Sequence, residues 1–245
     1  VVGNNPEKIA AACEWLETLE PDVVDLNLGC PAPKVRRKGQ GCAMLDFPDL
    51  VHQCLEAMVQ VTHRPVTVKT RLTASATAEP VIEVARAAAE AGARAMTVHA
   101  RPPRQRYGGP VHLEVLAEIV RGCPIPVIGN GGIYSRYHLE QMRRIANPHA
   151  FMVARGAMGA PWLFAHLEGP DPWEGGTLPE EPVADPPPTP QELVRVIRDH
   201  AEATVEYHGR ERGYARNRKL VLRYLKGRGL PSETRVAASH LETRE

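Results

Sequence analysis

Short apolar runs alternate with longer amphipathic segments from the start of the chain to about residue 164. The short runs are rich in β-branched residues, which favours strands, and the longer segments repeat their apolar residues at helical spacing. The predicted strands are Val23–Leu28, Pro65–Leu72, Ala95–Ala100, Ile125–Gly129 and Ala150–Ala154. The predicted helices are Pro6–Leu19, Pro48–Val61, Glu79–Ala91, Leu113–Val120 and Ser135–Ile145. This alternation predicts an α/β fold in which helices cover a parallel sheet.

Polar and glycine-rich groups stand at the end of each predicted strand. They are Gly29-Cys30-Pro31, His99-Ala100-Arg101, Asn130-Gly131-Gly132 and Arg155-Gly156, with Lys69-Thr70-Arg71 inside the second strand. Ligands of α/β folds bind at the carboxyl ends of the strands, and a ring of strands with functional groups at every end favours a TIM (β/α)₈ barrel. A barrel of this kind needs roughly 30 residues for each βα unit, and the predicted strands leave its first two to three strands without a counterpart in the chain. An open sheet therefore stays as the alternative.

The last third of the chain differs in composition. Residues 169–190 are rich in proline and predict a linker. Thr189 and Pro190 then open a helix that we expect to reach Tyr207, and a second, basic helix follows at about Tyr214–Leu225. We therefore expect a barrel over residues 1–168 that is incomplete at its N-terminus, a linker over 169–190, and a helical domain over 191–245 that is incomplete at its C-terminus.

Composition narrows the class of protein. The 245 residues, 43% of them hydrophobic, suffice for one large core with a small satellite domain. The net charge of +1 excludes a uniformly basic surface, although charge can concentrate locally. No apolar run of about 18 residues and no charged-then-apolar leader occur, which predicts a cytoplasmic protein without membrane contact. The five cysteines are scattered and indicate neither a disulfide framework nor a zinc site.

Cys30 is the first candidate for chemistry, because it stands between Gly29 and Pro31 just outside an apolar run. A nucleophilic cysteine needs a nearby histidine to become a thiolate, whereas a proton-donating cysteine needs a neutral thiol. The residues alone leave both roles open, together with that of an ordinary core cysteine.

Two glycine-rich turns on the last two strands predict a phosphate site. Glycines let backbone N–H groups approach an anion, and the guanidinium of Arg155 matches phosphate. Lys69, inside the second strand, would be costly to bury without an anion as partner. His99 and Arg101 lie two residues apart and share a face of their strand. A phosphorylated, anionic ligand is therefore expected.

Taken together, these motifs resemble the tRNA-dihydrouridine synthase family of the bacterial type, from residue 1 to about 227. The resemblance rests on Asn27-Leu28-Gly29-Cys30-Pro31, Lys34-Val35, Gly39-x-Gly41, Val68-Lys69-Thr70-Arg71, Val98-His99-Ala100-Arg101, Asn130-Gly131-Gly132-Ile133 and Arg155-Gly156-Ala157-Met158-Gly159-x-Pro161-Trp162, in that order. It implies a TIM barrel with a small helical domain, and FMN-dependent reduction of tRNA uridines to 5,6-dihydrouridine with NADPH or NADH. It implies tRNA as partner, no metal, and a monomer.

The resemblance also implies roles for individual residues. Cys30 matches the proton donor to C5 of the uracil, while reduced FMN delivers hydride to C6. The positions that match flavin-binding residues are Lys69, His99, Asn130, Gly131, Gly132, Ala154 and Arg155. The positions expected to contact the substrate are Asn27, Lys34 and Arg101, with Arg216, Arg218 and Lys219 of the basic helix gripping RNA phosphates.

Two other functions stay open on the sequence. A flavin barrel that acts on free pyrimidines could carry a similar Asn-x-x-Cys-Pro strand end, although a free base needs no basic helical appendage. A catalytically inactive protein that binds RNA is the second alternative.

Overall fold

A computed structural model describes residues 1–229 and 231–239. These residues form two compact units. The first comprises Val1–Ile133 and His138–Val153, and the second comprises Tyr134–Tyr137 and the chain from Ala154 onward. Two parts of the expected helical domain, position 230 and positions 240–245, lie outside the described residues.

The first unit is built around a five-stranded parallel sheet. Its strands are β1 (Val24–Asn27), β2 (Val66–Arg71), β3 (Met96–His99), β4 (Val127–Asn130) and β5 (Ala150–Met152). They are ordered β1-β2-β3-β4-β5, so each strand pairs with the next one along the chain. A doubly wound open sheet reverses its strand order at a switch point, whereas a barrel wall does not. The sequential order among the described strands is therefore that of a (β/α) barrel wall.

Helices precede and connect the strands of this unit. They are α1 (Pro6–Glu17), α2 (Pro33–Arg36), α3 (Pro48–Val61), α4 (Glu79–Glu90), α5 (Leu113–Gly122) and α6 (Arg136–Ala146), the last of which begins in the second unit. The α1 helix starts where the Asn5 side chain accepts a hydrogen bond from the backbone N–H of Lys8, at 2.9 Å. The buried residues of α3 are Val51, Cys54, Leu55 and Met58, a spacing that turns one apolar face to the sheet.

The two faces of the sheet differ in polarity. Val24, Leu26, Val66 and Val68 are buried on one face, and the residues between them in β1 and β2 are only partly buried. Alternate residues of a strand point to opposite faces. The second face therefore presents a polar row, which includes Asp25 and Asn27 of β1 and Thr67 and Lys69 of β2.

The second unit is mainly helical. It contains α7 (Leu163–Glu168), α8 (Pro190–His208), α9 (Arg210–Leu225) and α10 (Ser232–Ser239). A capping box opens α8, since Thr189 and Glu192 each bond the other's backbone N–H. Gly213 lets α9 approach α8 closely, because a Cβ there would lie 2.6 Å from the Cα of Val205.

The structure reproduces the predicted elements to within two residues at most ends. The basic helix is longer than predicted, because α9 begins at Arg210 and not near Tyr214. Residues 169–189 contain no helix or strand, as their prolines indicated. The boundary between the units falls after Val153 and not at the expected linker. The reason is local packing: Gly159 lies against the backbone of α9, and Ser135 donates a hydrogen bond to the carbonyl of Val183.

Candidate functional site

Cys30 lies on a turn that the side chain of Asn27 holds together. The Asn27 Oδ1 atom accepts hydrogen bonds from the backbone N–H groups of Gly29 and Cys30, both at 3.0 Å. Asparagine favours such turns because its short amide mimics a backbone acceptor. With Oδ1 engaged, the Nδ2 amide is the end of Asn27 that can donate to a ligand. The thiol of Cys30 is half-buried at the carboxyl end of β1.

Gly41 fixes Cys30 from the other side. Its backbone has φ +61°, and a Cβ there would lie 2.7 Å from the carbonyl oxygen of Cys30 and 3.1 Å from its Cβ. The next residue, Cys42, donates a backbone hydrogen bond to the same carbonyl at 3.2 Å. Both the conformation and the close approach require glycine here. The loop that follows α2 is thus folded back onto the candidate catalytic residue.

Lys69 is the neighbour of this turn on β2, where it pairs in register with Asn27. Its ammonium group is half-buried and makes no hydrogen bond to another described residue. Burial lowers the pKa of Lys69, and the nearby charge of Arg71 lowers it further, while Asp25 acts in the opposite direction. A half-buried cation of this kind is stabilised by an anionic ligand.

Arg71 and His99 form a buried pair one strand further along. They are in register on β2 and β3, and Arg71 is only 2% exposed. The Arg71 Nη2 atom lies 3.1 Å from Nδ1 of His99, and its Nη1 donates to the carbonyl of Pro102 at 3.2 Å. Because a guanidinium can only donate, Nδ1 of His99 accepts from Arg71, and Nε2 of the same ring lies 3.4 Å from Nη1 of Arg101.

Arg101 and Asn130 surround the first glycine-rich turn. Arg101 is 6% exposed and donates from Nε to the carbonyl of Gly109 at 3.1 Å, while Nδ2 of Asn130 donates to the carbonyl of Met152 at 2.7 Å. Gly131 and Gly132 have φ of +127° and +72°. A Cβ on Gly131 would lie 3.1 Å from the ring of His99, and one on Gly132 would lie 2.7 Å from Val111. The turn therefore has no room for a side chain at either position, and its positive φ angles also favour glycine.

Arg155 belongs to the second unit, in a short 3₁₀ turn at Arg155–Ala157 just after Ala154. Its guanidinium lies over the ring of Tyr134, 5.9 Å from the ring centroid. The prediction that Arg155 and the Asn130-Gly131-Gly132 turn bind one phosphate stays a prediction, since the two turns lie in different units.

The predicted RNA-contacting residues lie on helices. Lys34 is exposed on α2, in the first unit. On α9, Arg216 and Lys219 are exposed and Arg218 is half-buried. Four exposed cations recur at helical spacing on α9 and form one face, which we call the basic stripe: Arg212, Arg216, Lys219 and Arg223. No ion pair joins the stripe to a carboxylate among the described residues.

Two residues of the sequence motifs, Arg71 and Gly41, had no predicted role, and the structure places both in the site. Arg71 is two residues after Lys69, so the alternation of side chains along a strand puts both on the same face. Gly41 carried a weaker signal, its place in a Gly-x-Gly pair after the cysteine. Across residues 1–229 and 231–239, no helix is long and apolar enough to cross a membrane, and no group of three or more potential ligands is placed to hold a metal ion.

Comparisons with known proteins identify the family of the chain. A family model described as dihydrouridine synthase matches residues 1–245. The tRNA-dihydrouridine synthase B of Vibrio vulnificus is 31% identical over 239 residues, which cover 96% of this chain and 70% of the relative. The enzyme of the same name from Pasteurella multocida is 32% identical over 227 residues, which cover 93% of this chain and 66% of the relative. The chain thus spans about two thirds of the length of these relatives.

A solved structure supports the fold alone. The DHODH of Eimeria tenella, determined in complex with ferulenol, superposes with a TM-score of 0.50 at 16% identity, over 67% of this chain and 52% of that one. The sequential parallel sheet, the family model over the whole chain and the relatives over most of it agree. The α/β barrel class is confirmed, and the chain belongs to the dihydrouridine synthase family of enzymes.

Proposed function

We propose that the protein reduces uridines of tRNA to 5,6-dihydrouridine, with Cys30 as the acid that protonates C5 of the uracil. The observation that carries this proposal is the placement of Cys30: a half-buried thiol at a strand end, held by the Asn27 turn and by Gly41. On the next strand, Lys69 pairs in register with Asn27 of the same turn, and its ammonium forms no ion pair with a carboxylate among the described residues. A site with one acid and one half-buried cation suits a reaction that adds a proton to one atom and requires an anionic cofactor nearby.

The chain's own residues would orient the base. The Nδ2 group of Asn27 can donate to a carbonyl oxygen of the uracil, while Oδ1 of the same side chain keeps the Cys30 turn in place. Arg101 is buried beside the Asn130-Gly131-Gly132 turn and His99. It would therefore act close to the cofactor and the base, and not at the protein surface.

The residues present fit a flavin phosphate and ring. Gly131 and Gly132 form a turn without side chains, which lets an anion approach the backbone, and the ammonium of Lys69 forms no ion pair with a carboxylate among the described residues, although the charge of Asp25 reaches it. We propose that Lys69, His99, Asn130, Gly131, Gly132, Ala154 and Arg155 hold FMN. Bound FMN, reduced by NADPH or NADH, would supply hydride to C6. The positive charge of Lys69 would stabilise an anionic ring next to it.

The basic stripe on α9 would bind the phosphates of tRNA, with Lys34 as a contact on the first unit. Like charges four residues apart on a helix repel each other, at about 0.2–0.5 kcal/mol per pair. An RNA backbone removes that repulsion and releases its own counterions, which can offset the few kcal/mol needed to flip a base out of its stack. We expect the reaction in the cytoplasm, on a monomeric enzyme.

The test is reduction of unmodified tRNA by the purified protein with FMN and NADPH, followed by mass spectrometry of the nucleosides. Wild type is expected to form dihydrouridine, and Cys30→Ala is expected to retain FMN while forming almost none. Cys123→Ser, at a cysteine on the C-cap of α5, serves as the matched control and should retain activity.

Three outcomes would overturn the proposal. Wild-type turnover by Cys30→Ala would refute the role of Cys30 as acid. Reduction of free uracil without reduction of tRNA would favour the alternative of a free-pyrimidine reductase. A protein that binds tRNA but retains no added FMN would instead be an inactive RNA-binding protein.

A further inference from the structure

Cys30 has a second thiol beside it. The backbone N–H of Cys42 donates to the carbonyl of Cys30 at 3.2 Å, and the preceding Gly41 lies directly against the Cβ of Cys30. Standard backbone dimensions then keep the two Cα atoms within about 6.5 Å of each other. Disulfides join Cα atoms that are about 4.4–6.8 Å apart, so the Cα separation of the two cysteines lies within the range of a disulfide.

Arginine side chains lie within electrostatic reach of both thiols. Burial raises the pKa of the Cys42 thiol, while the charges of Arg36 and Arg71 act in the opposite direction. Arg71 is also within electrostatic reach of Cys30. Reactive cysteines typically occupy partly exposed, electropositive positions, whereas inert cysteines are buried among apolar groups. Cys54 is an example of the second kind, fully buried, with its pKa raised by burial to about 11.

We propose that Cys30 and Cys42 are a site of reversible oxidation, which a peroxide closes to a disulfide. The half-buried Cys30 reacts first: its sulfur attacks one peroxide oxygen, the O–O bond breaks, and water leaves after protonation. The Cys30 sulfenic acid is then attacked by the Cys42 sulfur, so that an S–S bond forms, the S–O bond breaks and a second water leaves. The two thiols lose two electrons and two protons, and the peroxide is reduced to water.

Oxidation at this site has a functional consequence that rests on the proposed function. A Cys30 sulfur bound to Cys42 has no proton to donate to a uracil, so the oxidised protein should form no dihydrouridine. An external dithiol would restore the activity by exchange. Cys42 would also protect Cys30, because a sulfenic acid without a thiol neighbour is oxidised irreversibly.

The test uses the purified, fully reduced protein and a small molar excess of hydrogen peroxide. Remaining thiols are alkylated, the protein is digested, and the cysteine peptides are identified by mass spectrometry. We expect a linked peptide pair containing Cys30 and Cys42 that dithiothreitol separates. Recovery of Cys42 as an alkylated thiol while Cys30 becomes sulfinic acid would overturn the proposal, and so would recovery of both as thiols.

Two cysteine variants distinguish oxidation at the Cys30 and Cys42 pair from unspecific oxidation of other cysteines. In Cys42→Ser, no linkage should form, and peroxide should convert Cys30 to a sulfinic acid that dithiothreitol does not reverse. In Cys123→Ser, the linkage should form as in wild type. The mapping on wild type needs neither tRNA nor turnover. A protein that forms the disulfide with peroxide but, when fully reduced, forms no dihydrouridine would refute the proposed function and leave this inference standing.

Discussion

Replacement of Gly41 by alanine should disturb the position of Cys30 more than any other small change in the loop. The new Cβ would lie 2.7 Å from the carbonyl oxygen of Cys30 and 3.0 Å from a methyl group of Val35. The first of these atoms is backbone and cannot rotate away. Gly41 also has φ +61°, where an L-residue is strained.

The expected loss of stability has two parts. The left-handed conformation costs an alanine about 1–2 kcal/mol, partly offset by about 0.4–1 kcal/mol from the stiffer unfolded chain. The forced shift of the Cys30 backbone adds about 1–3 kcal/mol, the usual cost of overpacking. We therefore expect Gly41→Ala to lower the free energy of unfolding by about 3 kcal/mol in total.

Gly39→Ala is the matched control, since Gly39 lies in the same loop with φ +69°. A Cβ there meets only Nδ2 of Asn4, at 3.1 Å, which is the end of a flexible side chain. This variant should therefore carry the conformational cost alone, about 1 kcal/mol. The difference between the two variants isolates the contact with Cys30.

Urea unfolding of both variants gives the energies, and the alkylation rate of Cys30, followed by peptide mass spectrometry, reports on the position of the thiol. Gly41→Ala should change that rate several-fold, while Gly39→Ala should leave it near the wild-type value. Equal stabilities and equal alkylation rates in the two variants would refute the reasoning, because they would mean that Gly41 does not constrain Cys30.

Three further predictions concern the site and the basic stripe. Asn27→Asp keeps the oxygen acceptor of the Cys30 turn but loses the Nδ2 donor, so it should raise KM while Cys30 is alkylated at a near-normal rate. Asn27→Ala loses both groups and should also change the alkylation rate. Identical effects of the two variants would contradict two separate roles for Asn27. Burial lowers the pKa of Lys69 in the folded protein, so the unfolded state binds the Lys69 proton more tightly. The free energy of unfolding therefore rises with pH between the lowered pKa of the folded state and the ordinary lysine pKa of the unfolded state. Lys69→Met should thus raise the Tm of the flavin-free protein at pH 7, and this increase should shrink as the pH approaches 10. The same variant should abolish FMN binding. A lower Tm of Lys69→Met at pH 7 would contradict the destabilising effect of the buried charge. Neutralising the four cations of the basic stripe should weaken tRNA binding and reduce the slope of log K against log salt by about 3. Arg198→Ala, on the exposed part of α8, should leave that slope almost unchanged, and an unchanged slope in the stripe variant would exclude the stripe as the RNA contact.

The local elements of the fold could be predicted because their signals are local. The α3 helix begins at Pro48 and ends at Val61 as predicted, since proline at the first turn and an apolar face at helical spacing fix both its start and its orientation. The start of α9 could not be predicted as well. Its first turn, from Arg210, carries several charges and depends on the Gly209 turn and on packing of Gly213 against Val205, which is a tertiary contact.

The same distinction between local signals and tertiary contacts applies to the candidate site. The sequence by itself determined that Cys30 ends a strand, that Lys69 sits on the next one, and that glycines follow the fourth, because these are properties of residue type and order. Only the tertiary structure decided between a barrel wall and an open sheet, through the sequential strand order. It also brought Gly41 and Cys42 onto Cys30 and paired Arg71 with His99. Those contacts join residues far apart in the chain or on neighbouring strands, and their geometry depends on register and packing, which no local pattern specifies.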